Sequence, residues 1–316
     1  MGSDAAEISV VIPTRGRESR LAFALDSLVG QLDPDRFEVI VVRDGDAAEP
    51  LAGPPDGVRV RYLTRPGSSG PTAKRNLGWR ASEAPLVAFT DDDCRAAPGW
   101  LEALVAAADG DSAFLQGRTT PDPQERHLLH GLARSIEVDH PSGWFETCNM
   151  TYPRAMLERL GGFDETFGFG GEDTDLAWRA IEAGAAPRFV DEALVWHAVM
   201  SRSIPRALAE ARRWNDTPAV IARHPGLRAS LYRGHFWSPA HMGVAIAVAG
   251  LIAGRRSPAL AALAALPYAS TRLNWRQPRP RGLARGIATL PVFAAIDLTE
   301  VVARLPSAIR HRVAVI

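Results

Sequence analysis

Only two cysteines occur in this chain. Cys94 and Cys148 can build no disulfide framework, and neither belongs to a CxxC metal spacing, so a reducing, cytoplasmic setting is expected. No long apolar run opens the sequence: "ISVVI" (8–12) is short and meets Pro13 at once, and no secretion signal is expected. Late in the chain the apolar stretches 239–254 and 258–269 both fall short of the roughly 20 residues a spanning helix needs. There is a single lysine, Lys74, and no internal repeat. Acid is scarce near the end: residues 199–316 hold 17 basic against 4 acidic residues, whereas residues 1–198 hold 19 against 32. A formal net charge of zero therefore hides an acidic body joined to a basic tail. With 316 residues and 46% hydrophobic content, the chain can build one large domain with an appendage or two modest ones, and it is neither disordered nor fibrous.

What is present alternates. The runs "ISVVI" (8–12), "FEVIVV" (37–42), "VRVRYL" (58–63) and "LVAF" (86–89) read as strands, and 18–31 and 71–82 have helical periodicity. Strand followed by helix predicts an α/β fold, a mainly parallel sheet with helices on both faces. Ligands of such sheets gather at the carboxyl ends of the strands. There the chain carries "PTRGR", "RDGD", "RPGSSG" and "TDDDC", each an ordinary turn composition taken singly. Residues 144–165 read as a short strand, then a helix opened by Pro153 and stopped by Gly161 and Gly162. A helix is expected over 172–184, a short "RFV" and then "ALVWHAV" follow, and from about 205 onward the chain reads as helical and Ala-rich. The expected organisation is residues 1–204 as the catalytic body and 205–316 as a helical, basic region.

Three consecutive acids, Asp91, Asp92 and Asp93, repel one another at the end of a strand. A divalent cation, Mn²⁺ or Mg²⁺, would neutralise them through hard oxygen ligands. In an extended chain Asp91 and Asp93 point the same way and Asp92 points away. A solvated turn with an Asp capping the helix of "PGWLEALVAAA" is the other reading, and for a bare DxD pattern the commoner one. A second cluster, Glu172, Asp173 and Asp175, opens a helix, where the macrodipole favours carboxylates. Capping explains these acids but not the flexible "FGFGG" loop ahead of them, and a carboxylate held there can serve as a general base. His197 ends the last expected strand, as a structural histidine or as a metal ligand beside the acids.

Together, "VVIPTRGR", "VIVVRDGD", "GPTAKRNLGW", "FTDDDC", "GGFDETFGFGGEDTDLAWR" and "VWHA", in this order over residues 8–200, resemble the family 2 glycosyltransferases of the GT-A fold. The resemblance implies an inverting transfer from a nucleotide-diphosphate sugar to an acceptor hydroxyl. It puts Thr14 and Arg15 in the loop under the donor nucleotide and makes Asp44 the acid that bonds the base. Arg75 and Asn76 match the "ARN" segment on the nucleotide side, and Asp91 and Asp93 form the DxD pair. Asp173 matches the catalytic base, and His197 matches a further metal ligand. "RDGD" stands where "DDGS" is usual, leaving Arg43 in place of an acid. Trp144, Asn149 and Glu172 are expected at the acceptor, since an aromatic face suits sugar C–H surfaces; core packing is the other reading of Trp144.

The basic tail sets arginines 255, 256, 272, 276, 279, 281 and 285 beside the two apolar segments. This predicts peripheral attachment to the inner face of a membrane and a lipid-linked or cell-envelope glycan as acceptor. A helical cap on the catalytic body is the alternative. Nucleic acid is not an expected partner, because the basic residues mix with apolar rather than stacking aromatic ones. Two other functions stay open: a nucleotidyltransferase, for which "PTRGR" is a poor signature loop, and an inactive, membrane-attached sugar-nucleotide-binding protein.

Overall fold

The structure is a computed structural model that describes residues 6–45, 53–67, 69–167, 170–213, 215–255, 257–273 and 280–316, without the side chains of 280–283 and 285. Asp46 of the "RDGD" turn, Ser68, and Gly168 and Phe169 of the "FGFGG" loop lie outside the described residues, as do Arg256, Arg276, Arg279 and the side chains of Arg281 and Arg285. Two compact units make up the chain: Met1–Gly168 with Glu172–Ser201, and Phe169–Gly171 with Arg202–Ile316.

The first unit is built on strand β1 (Ile8–Thr14), buried along its whole length, which is what the unbroken apolar run required. Helix α1 (Glu18–Asp26), β2 (Phe37–Asp44), β3 (Val60–Arg65), α2 (Pro71–Ala81) and β4 (Leu86–Phe89) follow. Then come β5 (Cys94–Ala96), α3 (Trp100–Ala107), β6 (Ala113–Pro121), β7 (Met150–Pro153), α4 (Arg154–Leu160), α5 (Glu172–Glu182) and β8 (Ala186–His197). The sheet order is β3-β2-β1-β4-β7-β6-β8-β5. β1 runs parallel to β2 and β4, and β2 to β3. β7 is antiparallel to β4 and β6, β6 is parallel to β8, and β5 is antiparallel to β8.

Alternate residues of β1 serve opposite cores. Val10 and Ile12 pack with Leu21 and Leu25 of α1 and Trp100 and Leu104 of α3. Val11 packs with Trp79 of α2, Leu157 of α4 and Leu176 of α5. Helices on both faces thus follow from one strand's alternation. α2 comes so close to the sheet that a Cβ on Gly78 would lie 2.4 Å from Val11 Cγ1.

Two strands were not expected, β5 and β6. "AFLQGRTTP" mixes polar residues with Gly117, yet β6 lies inside the sheet between β7 and β8. Gly117 is required because a Cβ there would lie 2.4 Å from the Ala193 carbonyl oxygen and from Asn149 Nδ2. The two short segments expected near 188–199 are one twelve-residue strand, β8. Pro153 ends β7 and precedes α4 rather than sitting inside that helix.

The second unit holds α6 (Ile204–Ala211), α7 (Thr217–Arg223), α8 (Pro239–Ala253), α9 (Pro258–Arg272) and α10 (Pro280–His311). α8 and α9 approach through small residues: Cβ atoms added at Gly243 and Gly250 would meet Tyr268 Cα at 2.7 Å and Ala264 Cβ at 2.0 Å. α10 joins them through polar ties, with Tyr268 Oη donating to Asp297 at 2.8 Å and His241 Nε2 3.1 Å from Glu300. The buried Arg304 guanidinium lies 5.2 Å from the centre of the Trp237 ring. α10 contains Pro291 and Pro306, which had concealed its 32-residue length in the sequence.

Candidate active site

The ends of β1, β2 and β4 bring the singled-out turns to one edge, and each of the three consecutive acids finds its own partner. Asp91 accepts from Arg75 Nη2 at 2.7 Å. Asp92 turns inward, 1% exposed, and accepts from Thr14 Oγ1 at 2.6 Å with Arg17 Nη2 3.1 Å away. Asp93 pairs with Arg17 and faces His197 Nε2 at 3.8 Å. Burial pushes the Asp92 carboxyl up to about 6, with Arg17 and Thr14 opposing. None of the three caps α3, whose N-terminal cap is Gly99; β5 intervenes between them and that helix.

Thr14 is buried and its hydroxyl is spent on Asp92, so it props the acidic turn from below. Arg15 is exposed next to it. Asp44 accepts from Ser69 N and Oγ at 3.0 and 2.7 Å and from Lys74 Nζ at 3.0 Å. Burial opposes its ionisation, but the Ser69 and Lys74 bonds outweigh it and hold the carboxyl below its usual range. Lys74 also donates to the Thr14 carbonyl at 3.1 Å, so the one lysine ties the ends of β1 and β2 together. Sequence reasoning noted Lys74 only as solitary; its position one residue ahead of Arg75 was the available signal.

Asn76 and Asn149 depart from the sequence expectation. Asn76 donates to Phe163 O and Glu165 Oε1, both at 2.9 Å, and accepts from Trp79 Nε1 and Phe163 N at 2.9 and 3.0 Å. A primary amide has no more positions to offer, so Asn76 anchors α2 rather than touching a nucleotide. Asn149 donates to Arg118 O and Ala193 O at 2.8 Å and accepts from Trp100 Nε1 at 2.9 Å. It is 1% exposed, a core tie rather than an acceptor contact.

Arg75 connects the two acidic clusters. Its guanidinium is buried, bonded to Asp91 on one side and to Glu172 Oε1 at 3.1 Å on the other. Burial disfavours its charge, but Asp91, Glu172 and Asp173 outweigh that and keep it protonated. The three acids of α5 then separate by role. Glu172 is held by Arg75, and Asp175 is buried against Arg179 at 2.8 Å. Asp173 accepts only from Thr174, at 2.8 Å from its backbone N–H, among the bonds of the described residues, and remains partly exposed. Burial of its surroundings, reinforced by Glu172, raises the Asp173 carboxyl to about 7 against the pull of Arg75. Trp144 is half-buried, with its carbonyl accepting from Thr174 Oγ1 at 2.7 Å. That bond keeps it beside the residue following Asp173.

A cation could be held where β5 meets the end of β8, because Cys94 pairs with His197 there. Donor atoms of Asp93, Cys94 and His197 lie within 4.8 Å of one another. His197 Nδ1 is 2.8 Å from the Ala198 carbonyl oxygen. A proton on Nδ1 serves that bond and leaves the Nε2 lone pair facing Asp93. Cys94 is the least suited of the three, because a soft thiol is a poor ligand for a hard cation; its contact with Cys148 and its burial also push the thiol well above its usual range. One carboxylate and one neutral imidazole fit Mn²⁺ or Mg²⁺, leaving further positions for phosphate oxygens and water. Asp91 is not in this group; it is held by Arg75 instead.

Comparison with known proteins fits this geometry. A family model described as Glycosyl transferase family 2 matches residues 9–167. A Pre-mycofactocin glycosyltransferase of Mycobacterium tuberculosis is 31% identical over 73% of this chain and 51% of its own length. Validoxylamine A glucosyltransferase of Streptomyces hygroscopicus subsp. limoneus is 27% identical over 75% and 60%. The chain thus spans about half to three-fifths of the length of these relatives. Among solved structures, a mannosyltransferase from Pyrobaculum calidifontis in complex with GDP-Man and Mn²⁺ has a TM-score of 0.58 at 17% identity, covering 98% of this chain and 87% of that one. TarS 1–349 of S. aureus has a TM-score of 0.53 at 15% identity, covering 97% and 92%. The sheet with its flanking helices is a GT-A fold, and a family match over half of the sequence makes this chain a member of glycosyl transferase family 2.

Proposed function

We propose that the chain is a metal-dependent inverting glycosyltransferase that moves a sugar from a nucleotide-diphosphate sugar to an acceptor hydroxyl, on a lipid-linked or cell-envelope glycan at the inner membrane face. The observation that carries this reading is the separation of roles among the acids: Asp91 and Glu172 are neutralised by Arg75, while Asp173 has no arginine bonded to it among the described residues and is raised toward neutrality. A carboxyl with such a pKa accepts a proton efficiently near pH 7. Asp173 would take the acceptor hydroxyl proton as that oxygen bonds to the anomeric carbon. The bond from that carbon to the diphosphate breaks in the same displacement, inverting the centre without a covalent sugar intermediate. Asp93 and His197 would hold the cation, which when bound stabilises charge on the departing diphosphate. Arg75 keeps Asp91 and Glu172 in place, and Thr14 keeps Asp92 beneath the turn. A relative named for glucosyl transfer and a fold neighbour solved with GDP-Man and Mn²⁺ support a sugar-nucleotide donor. The test is a panel of nucleotide-diphosphate sugars with and without Mn²⁺. Release of nucleoside diphosphate from one or two donors, abolished by chelation, is expected; release from none would remove the reading.

Membrane attachment draws support from the second unit alone. Leu251 and Ile252 at the end of α8 and Leu260 and Leu263 at the start of α9 are exposed, and they flank the turn that contains Arg255. An apolar tip with basic residues suits an anionic bilayer surface. Among the described residues, one helical stretch, Gly286–His311, is long and apolar enough to cross a membrane by length and composition. Asp297, Glu300 and Arg304 on that helix are bonded to α8 and α9 residues, which favours an interfacial position. The full chain is expected to sediment with phosphatidylserine vesicles, to be released only partly by salt, and to be extracted by alkaline carbonate. Leu251→Ser with Leu263→Ser should abolish the salt-resistant fraction. A full chain left in the supernatant at low salt would eliminate the membrane site.

A further inference from the structure

Asp93, the carboxylate that would hold the cation, is already bonded to a cation of the chain itself. Arg17 Nη1 donates to Asp93 Oδ2, and Arg17 Nη2 lies 3.1 Å from Asp92 Oδ1, so one guanidinium spans two of the three consecutive acids. The other carboxyl oxygen, Asp93 Oδ1, faces His197 Nε2 at 3.8 Å. Asp93 also lines a small cavity together with Arg20, Arg95, Asp122 and Glu125. Both arginines of that cavity are engaged elsewhere: Arg95 donates to the two Asp122 oxygens at 2.7 and 2.8 Å, and Arg20 pairs with Glu125. Apart from His197, Arg17 is thus the one basic side chain on Asp93 among the described residues.

A divalent cation on Asp93 Oδ1 and His197 would face that guanidinium across a single carboxyl group. Like charges so close repel strongly, and a carboxylate shared with an arginine attracts a metal less. One of the two cations must yield. The two arginines on the acidic turn differ in their freedom to do so. Arg75 is locked, its side chain 6% exposed and bonded to Asp91 and Glu172 on either side. The Arg17 side chain is 42% exposed. Its backbone is fixed where α1 begins, with Leu21 N donating to the Arg17 carbonyl at 2.9 Å, so only the side chain has to turn. Its departure leaves Asp92 still bonded to Thr14 Oγ1 at 2.6 Å. A guanidinium released beside a cation-bound diphosphate meets a matching partner, since its fork of N–H donors fits two phosphate oxygens.

We propose that Arg17 is a resident counter-ion of Asp93 that a divalent cation displaces, and that the released guanidinium binds the diphosphate this cation carries. This rests on Asp93 and His197 as the cation site, but the two can fail separately. Calorimetric titration of the full chain with Mn²⁺ alone should show Arg17→Gln binding the ion roughly tenfold more tightly than the wild type, because the competing charge is gone. Titration with inorganic pyrophosphate at saturating Mn²⁺ should show the same variant binding roughly tenfold more weakly, because a charge-assisted contact to phosphate is lost. Arg17→Lys keeps the charge but cannot span two acids, and its Mn²⁺ affinity should fall between those of the wild type and Arg17→Gln. Arg20→Gln removes a nearby charge that does not touch Asp93, so both affinities should stay within about twofold of the wild type. Melting curves check that the variants fold. Mn²⁺ affinity that is unchanged or weaker in both Arg17 variants overturns the proposal and leaves the cation site standing. An equal gain in Arg20→Gln, or pyrophosphate bound as tightly by Arg17→Gln as by the wild type, overturns it too. Absence of Mn²⁺ binding by every one of these proteins removes the cation site with it.

Discussion

Replacing Asp173 by Asn is expected to reduce transfer by about 10²–10⁴-fold, the usual contribution of a general base, while nucleoside-diphosphate affinity in Mn²⁺ stays within about twofold because donor contacts are untouched. The amide keeps the shape of the carboxyl and can still accept from Thr174 N, but it cannot take up a proton. In the wild type the base works only when ionised, so kcat/KM should rise with pH through the folded-state value of about 7 and level off above it. The variant's residual rate should not show that step. Stability carries the opposite sign. The native state holds the Asp173 proton more tightly than the unfolded chain does, so the group favours folding at low pH and that contribution is lost as pH rises through about 7. At pH 8 Asp173→Asn should therefore melt higher than the wild type. Near-normal transfer by the variant would mean that the base is elsewhere. Glu172 and Asp175 would be the next residues to test, although both are held by arginines.

The Asp93→Ala variant is expected to lose metal-dependent nucleotide binding, by on the order of a hundredfold, since a ligand is removed outright and His197 alone is a poor anchor for a hard cation. Affinity measured without metal should change little. The loss has a second component in the geometry. Arg17 now divides itself between Asp92 and Asp93, and without Asp93 it can settle wholly on Asp92. Asp92→Asn is the informative control. Asp92 is buried beneath the turn and bonded to Thr14, so this change should leave metal-dependent binding largely intact. Calorimetric titration of the nucleoside diphosphate with Mn²⁺ checks both variants. Unchanged affinity in Asp93→Ala would sink the cation assignment, and an equal loss in Asp92→Asn would mean that the turn acts as a unit.

Much of this arrangement was legible in the residues alone. Runs such as "ISVVI" and "FEVIVV" must be buried on both faces, which dictates a covered, mainly parallel sheet; Gly, Asp and Pro after each run dictate turns at one edge. Those are local consequences of strand periodicity and turn chemistry, and they depend on nothing far away in the chain. β6 was not legible, because its polar and glycine content makes sense only against Asn149 and the Ala193 carbonyl, which approach from distant segments. The length of α10 was hidden for a related reason: Pro291 and Pro306 look like stops until the packing of the helix outweighs them.

Within the site the division is similar. The sequence by itself determined which acids stand at the strand and helix ends, since backbone position follows from the elements. Only the tertiary structure decided what each acid does, because that depends on partners far off in the chain: Arg75 binding Asp91 and Glu172, Thr14 drawing Asp92 inward, and His197 brought to Asp93 by pairing of β5 with β8. It also turned Asn76 and Asn149 from candidate ligand contacts into anchors. A side chain's hydrogen-bonding capacity is finite, and in a folded core the nearest donors and acceptors, which no local pattern reveals, take it first.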